Sequence, residues 1–270
     1  MRIAIQGIKG SYHHQVATIL FGNQKLSECS TFDELAVLVS TGQVDCGIMA
    51  IGNSIAGSIL PNYALIQSEA LAITAEHYLN INHQLMCLKG QDIHSIHEVQ
   101  SHPMALLQCR DFFRKHPRIR AVETDDTAAA AQRIAQNGQK GVAAIASAQA
   151  AQMYGLDIIE KRIQQVRNNA TRFVVLERQP RTVQGANKAT INFTASHQPG
   201  SLGRILNTLG DLGVNLSKIQ SIPIVDKPFL YSFVADLEFE DLAQFEVAQL
   251  EIGILVESMN ILGIYKAEQL

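Results

Sequence analysis

The chain has 270 residues, 47% hydrophobic and 17% charged, a composition that builds a proper core in one large domain or two of ordinary size. A net charge of −3, with a pI near 6.3, supplies no basic field for nucleic acid or an anionic membrane. No apolar run is long enough to cross a bilayer, and the start Met1-Arg2-Ile3-Ala4-Ile5-Gln6 reads as a strand rather than a signal peptide.

In chain order, residues 2–6 predict a strand. Gly7-Ile8-Lys9-Gly10-Ser11 then breaks into a helix through about Phe21, with Ser11 as N-cap. This turn lacks both the dinucleotide glycine spacing and a Walker lysine, which leaves an anion-friendly helix start. Thr31-Phe32-Asp33 opens a second helix to Ser40, and 45–51 is a buried strand followed by Gly52-Asn53-Ser54. Residues 71–87 carry two apolar runs around Glu76 and read as one strand crossing between lobes. Ser101-His102-Pro103 starts a helix through His116, and Asp125-Asp126-Thr127 starts another through about Asn137. A strand at 142–146 follows, then a helix capped by Ser147 that ends at Tyr154-Gly155. Residues 169–176 return the chain to the first lobe. The expected result is two α/β lobes around a cleft, with hydroxyl-capped helix starts facing it.

Residues 179–188, with Pro180 and Gly185, read as a linker. Beyond it come strand 189–196, helix 200–211, strands 214–222 and 229–237, helix 241–257 and strand 261–265. That βαββαβ order is ferredoxin-like and by itself carries no function.

The candidate chemistry centres on Asn169-Ala170-Thr171-Arg172-Phe173, where a hydroxyl and a guanidinium stand at the entry to a buried strand. Arginine offers a planar fork of donors to a carboxylate, and threonine a donor with two acceptor lone pairs. The same residues also fit a surface ion pair and an ordinary strand start. Ser11, Asn53, Ser54, Ser101 and Thr127 add neutral polar groups at element ends. Ser101 and Gln108, seven residues apart, are expected on one helix face. This set suits a small carboxylate-bearing ligand and shows no nucleophile–base pair. Each cap read singly is also ordinary helix architecture, and Gln108 also fits a bond to neighbouring backbone. Cys29, Cys46, Cys87 and Cys109 are scattered without a C-x-x-C pair and read as reduced, in a cytoplasmic protein. The closest histidine groupings, His13-His14 and His94 with His97, lack a second ligand cluster, so no metal is expected.

Across nearly its whole length the chain resembles the prephenate dehydratase family. The resemblance rests on Gly7-x-x-Gly10-Ser11-Tyr12, Cys29-x-Thr31-Phe32 and Asn53-Ser54-x-x-Gly57-Ser58. It continues through Ser101-His102-Pro103-x-Ala105-Leu106-x-Gln108-Cys109, Ala143-Ala144-Ile145-Ala146-Ser147 and Asn169-x-Thr171-Arg172-Phe173. The terminal segment resembles an ACT regulatory domain. The implied fold is α/β, a two-lobed periplasmic-binding-protein-like catalytic domain plus a ferredoxin-like βαββαβ domain. Implied limits are 1–180 for the catalytic domain (lobe one about 1–76 and 165–180, lobe two about 77–164) and 187–270 for the ACT domain.

The implied activity is conversion of prephenate to phenylpyruvate in L-phenylalanine synthesis, without a cofactor. Thr171 would act on the leaving hydroxyl and Arg172 would anchor a carboxylate. Asn53, Ser54, Ser101, Gln108, Ser11, Thr127, Asn169 and Phe173 would surround the substrate. L-phenylalanine would be the effector, bound at an interface between paired subunits by Gly200-Ser201-Leu202 and Asn215-Leu216-Ser217, with Leu202, Ile219 and Phe233 as apolar neighbours. A homodimer or homotetramer is implied, with a domain kept for pairing alone as the simpler reading. Two departures stand out. Gly52 replaces a family glutamate, which favours the alternative of a non-catalytic sensor of aromatic amino or keto acids. Gln220-Ser221-Ile222-Pro223 stands where many members carry Glu-Ser-Arg-Pro. A carrier of the periplasmic two-lobe type is disfavoured by the missing signal peptide.

Overall fold

The computed structural model describes residues 1–181, 183–224 and 230–268. Its elements run β1 (Arg2–Gln6), α1 (Tyr12–Phe21), β2 (Lys25–Cys29), α2 (Phe32–Ser40), β3 (Cys46–Asn53), β4 (Gly57–Ser58) and α3 (Leu60–Ser68). Next come β5 (Ala72–Asn80), β6 (Gln84–Cys87), β7 (Glu98–Ser101), α4 (Pro103–Gln108), α5 (Arg110–Lys115) and β8 (Arg120–Glu123). Then follow α6 (Thr127–Asn137), β9 (Val142–Ala146), α7 (Ala148–Tyr154), β10 (Asp157–Glu160) and β11 (Ala170–Glu177). The last part holds β12 (Lys188–Ala195), α8 (Ser201–Asp211), β13 (Asn215–Pro223), β14 (Tyr231–Glu238), α9 (Leu242–Gly253) and β15 (Val256–Tyr265). No described helix is long and apolar enough to cross a membrane.

Two compact units are present. The first comprises Met1–Leu35, Gly52–Gly57 and Tyr78–Phe173. Within it β1 pairs in parallel with β2, and a five-stranded sheet has the order β10-β6-β9-β7-β8. Successive strand side chains point to opposite faces, so this sheet feeds two cores. Leu85 and Cys87 of β6 and Ala143 and Ile145 of β9 pack with Ala105, Leu106 and Phe112 of α4 and α5. Met86, Ala144 and Ala146 take the other face, against the small residues Ala128, Ala130, Ala131 and Ala150 of α6 and α7.

Three local expectations change here. The apolar stretch 71–87 is two strands, β5 and β6, separated at 81–83. The helix expected over 101–116 is α4 and α5, broken at Cys109, because the Gln108 carbonyl accepts from Gln165 N (2.9 Å) instead of continuing the helix. Helix capping also differs. Ser11 and Ser147 cap α1 and α7, accepting from His14 N and Ala150 N. However, α4 is capped by His102 Nδ1 and α6 by Asp126 Oδ1, not by Ser101 or Thr127. Pro103 sits at the first turn of α4, which makes the residue before it the cap.

The second unit comprises Ala36–Ile51, Ser58–His77 and Val174–Leu270, of which 182, 225–229 and 269–270 lie outside the described residues. Its four-stranded sheet has the order β13-β14-β12-β15 with antiparallel pairs, the expected ferredoxin-like βαββαβ arrangement. Ala189, Ile191 and Phe193 of β12 pack with Ile205 and Leu209 of α8 and Phe245, Ala248 and Ile252 of α9. The first residue of the strand expected over 229–237, Phe229, lies outside the described residues. The helix expected to 257 ends at Gly253, because pairing with β12 draws residues from Val256 onward into β15.

Alternate residues of β12 carry polar groups, also buried. Thr190 Oγ1 donates to Asp236 Oδ1 (2.7 Å), and Lys188 Nζ donates to Glu76 Oε1 of β5 (3.0 Å). The same carboxylate oxygen accepts from Glu268 N (3.1 Å), and His77 Nδ1 lies 2.8 Å from Glu268 Oε1. Lys218 of β13 reaches Tyr63 of α3, with its ammonium 4.3 Å from the ring centroid. At Gly263 a Cβ would collide with the Ile73 carbonyl oxygen, so β15 and β5 approach at backbone distance.

Candidate active site

The site lies wholly within the first unit. Asn53 ends β3, and its Oδ1 accepts from the backbone amides of Ile55 and Ala56, both at 2.9 Å. Its Nδ2 donates to Thr171 Oγ1 (3.0 Å) and Asn169 Oδ1 (2.6 Å). Asn169 Nδ2 donates to Gln108 Oε1 (2.8 Å), which also meets His83 Nε2 (2.9 Å). Tyr12 OH lies 3.1 Å from both His83 Nδ1 and the Asn82 carbonyl. Ser54 ties its loop to the start of β11: its backbone N donates to Ala170 O (2.8 Å) and its Oγ accepts from Ala170 N (3.0 Å). Four residues expected at the site, Asn53, Gln108, Asn169 and Thr171, thus meet in one network, and Ser54 bonds the backbone beside them. Asn169 is fully buried, so it lies beneath the site rather than at its surface.

His83 and Tyr12 complete that network and were not singled out as site residues from the sequence. The available signal was the trio Asn80, Asn82 and His83 interrupting two apolar strands. His83 is 3% exposed, and burial pushes its pKa down to about 4 against a weaker upward pull from Gln108, so the ring is neutral at pH 7. Burial likewise pushes the Tyr12 phenol up, well out of the working range.

Other expected residues are placed elsewhere. Ser101 is fully buried at the end of β7, and its hydroxyl donates to the Ile145 carbonyl (2.6 Å). It therefore shares no helix face with Gln108. Ser11 is buried in its cap, and the anion-friendly turn before it is filled by the protein's own acceptors. Lys9 N donates to Glu28 Oε1 (2.8 Å) and Gly10 N to His14 Nδ1 (2.9 Å). At Gly7, whose φ is +85°, a Cβ would lie 2.7 Å from Asp126 Oδ2. Thr127 is the first residue of α6, beneath the Asp126 cap. Phe173 packs edge-on against His13, ring centroids 5.0 Å apart.

Arg172 follows Thr171 in β11. It is 7% exposed, with its guanidinium carbon 6.0 Å from the Tyr78 ring centroid. Neighbouring strand residues face opposite sides, so β11 points Thr171 and Phe173 one way and Arg172 the other.

In the second unit a cavity of about 430 Å³ is lined by Ser201, Leu202, Tyr231, Phe233, His197 and Glu257 among others. Of the expected effector residues, Ser201 and Leu202 line it, and Gly200 caps α8 beside it with φ +79°. Asn215, Leu216 and Ser217 do not line it. Asn215 Nδ2 donates to Glu238 Oε2 (3.2 Å), Ser217 Oγ bonds the Asp236 carbonyl (3.5 Å), and Leu216 packs on the core. Among the expected apolar neighbours, Phe233 lines the cavity and Ile219 does not. Among the described residues no group of three or more His, Cys, Asp or Glu is placed to hold a metal ion.

Comparison with known proteins agrees with this architecture. Residues 3–181 match the prephenate dehydratase family and residues 189–244 the ACT domain family. The bifunctional chorismate mutase/prephenate dehydratase of Escherichia coli K12 is 34% identical over 274 residues, 99% of this chain and 71% of that protein. The solved structure of GqqA, described as a novel type of quorum quenching acylase, is 28% identical with a TM-score of 0.89, over 99% of this chain and 98% of that one. A prephenate dehydratase from Arthrobacter aurescens, solved with L-Phe, shares the fold at 23% identity and TM-score 0.88, over 99% and 90% of the two chains. The chain belongs to the prephenate dehydratase family, with a C-terminal ACT domain.

Proposed function

We propose that this protein converts prephenate to phenylpyruvate, with loss of water and carbon dioxide. The observation that carries this reading is the Thr171 hydroxyl, whose oxygen accepts from Asn53 Nδ2 and whose proton is thereby left for a ligand. In the reaction the ring C–O bond breaks and the oxygen leaves as hydroxide, hydrogen-bonded as it departs and taking a proton from solvent to become water. The carboxylate on the ring leaves as carbon dioxide, and its electron pair completes the aromatic ring. Aromatisation drives the step, so the protein has to orient the substrate and hydrogen-bond the departing oxygen. Thr171 and the Gln108 amide suit that task, and no cofactor enters it. An acylase would need a base on its nucleophile, whereas Thr171 is held by an amide. Gly52 lies within β3, near but outside this network, so the sensor alternative gains nothing from the geometry.

The domain limits follow the same reading: a dehydratase domain over 1–180, with lobes about 1–76 plus 165–180 and 77–164, and an ACT domain over 187–270. The reading places the protein in the cytoplasm, supported by four free, buried cysteines. Mixing purified protein with prephenate at neutral pH and following phenylpyruvate by absorbance tests the activity. A rate no faster than spontaneous decay would overturn it.

The cavity beside α8 is the proposed site for L-phenylalanine, in the size range of small-ligand pockets. Leu202 and Phe233 suit the ring, Glu257 the ammonium and the α8 start the carboxylate. Val247 and Leu250 of α9 and its C-cap Ile254, exposed at spacings of three and four, support pairing into a homodimer or homotetramer. Calorimetry on the full chain is expected to show heat and a raised melting temperature with millimolar L-phenylalanine. Absence of both would leave the domain a pairing role alone.

A further inference from the structure

We propose that His83 is a positioning residue for the dehydration. With Tyr12 and Asn169 it fixes the direction of the hydrogen bonds at Gln108, so that the Gln108 amide presents its NH₂ to the substrate beside the Thr171 hydroxyl, which Asn53 orients. The proposal rests on the dehydratase reading above.

The directions follow from two backbone amides. Ile55 N and Ala56 N can only donate, so the Asn53 atom that meets them is its oxygen. The other end of that side chain is then NH₂, which donates to Thr171 Oγ1 and to Asn169. The Asn169 atom receiving it must be oxygen, and the remaining NH₂ of Asn169 donates to Gln108. The receiving Gln108 atom is therefore oxygen, and its second bond comes from His83 Nε2, which must carry the hydrogen. The ring is neutral, so Nδ1 is bare and accepts from Tyr12 OH, which is shared with the Asn82 carbonyl. The ring's own backbone is pinned too, since His83 N donates to Gln164 Oε1 (3.0 Å).

Two consequences reach the substrate. Gln108 Oε1 has both lone pairs engaged, so its amide cannot turn over without setting NH₂ against two donors. What it offers outward is NH₂. Thr171 Oγ receives a hydrogen bond from Asn53, so its own proton points away toward the ligand. Two donors directed at the substrate suit carboxylates and a departing hydroxyl. If His83 cannot donate, one half of the lock on Gln108 is lost, and its carbonyl can face the substrate's negative charge.

The test has two arms. In full-length protein with ¹⁵N-labelled histidine, NMR is expected to show His83 protonated on Nε2 and bare on Nδ1 from pH 8 to about 5, consistent with a pKa near 4. The opposite tautomer, or titration near the ordinary value of 6.5, would overturn the proposal. Tyr12→Phe, which keeps the ring, should shift this histidine signal while the fold persists; an unmoved signal also counts against it. In kinetics, His83→Leu fills the space without donating and is expected to lower kcat about 10- to 100-fold with little change in KM. His83→Gln, whose amide reaches the Nε2 position, should recover to within about fivefold of wild type. Equal losses in both variants, or full activity in His83→Leu, would contradict it. If wild-type protein fails on prephenate, the dehydratase reading falls, while the NMR arm still decides whether the lock exists.

Discussion

Thr171→Ala is expected to lower kcat by about 100- to 10,000-fold while leaving KM near its wild-type value, the range associated with losing a proton donor positioned on the leaving group. Asn53 Nδ2 holds the Thr171 oxygen at 3.0 Å, so the hydroxyl bond to the substrate strengthens as negative charge grows on the departing oxygen. Substrate binding draws on other contacts, which is why KM should move little. Thr171→Ser keeps the hydroxyl and should retain most of the rate. A large KM change in Thr171→Ala with kcat intact would assign the residue to binding instead.

Lys188→Ala is expected to cost about 3–5 kcal/mol of stability, as for removal of one partner from a buried ion pair. Its ammonium lies 3.0 Å from Glu76 Oε1, and the two side chains are 4% and 0% exposed. Without Lys188, the Glu76 carboxylate stays in a water-poor place with the Glu268 amide still bound to it. Replacing both partners by apolar residues, Glu76→Leu with Lys188→Met, should restore part of the loss, because neither buried charge of the pair remains, while the Glu268 amide and Glu238, 3.6 Å from Lys188 Nζ, still lose a partner. Urea unfolding of the two single variants and the double variant measures this. Equal destabilisation by the double and the single variants would show that the pair contributes attraction rather than mutual relief of desolvation.

The sequence made much of this structure legible where a local rule had no competitor. Ser11 and Ser147 cap their helices as their hydroxyls and position predict. The alternation of β12, with Ala189, Ile191 and Phe193 against Lys188, Thr190 and Asn192, marks a strand whose two faces have different tasks. Asn53, Gln108 and Thr171 were identifiable as polar groups at element ends. Reading failed where tertiary contacts override local preference. Nothing local in Leu107-Gln108-Cys109-Arg110 ends a helix; the hydrogen bond from Gln165 does. Ser101 was misplaced although Pro103 already pointed to His102 as the cap. His83 was invisible in another sense: a single histidine between two strands has no spacing to betray it. Its role emerges only when Gln108, 25 residues on, folds back to meet it.

The most direct measurement is product stoichiometry: wild-type protein with prephenate at neutral pH, phenylpyruvate and carbon dioxide quantified together against a protein-free control. Equal molar amounts of the two, released well above the uncatalysed rate, are the expected result. Release at the control rate, or either product without the other, would contradict the assignment of this chain as a decarboxylating dehydratase.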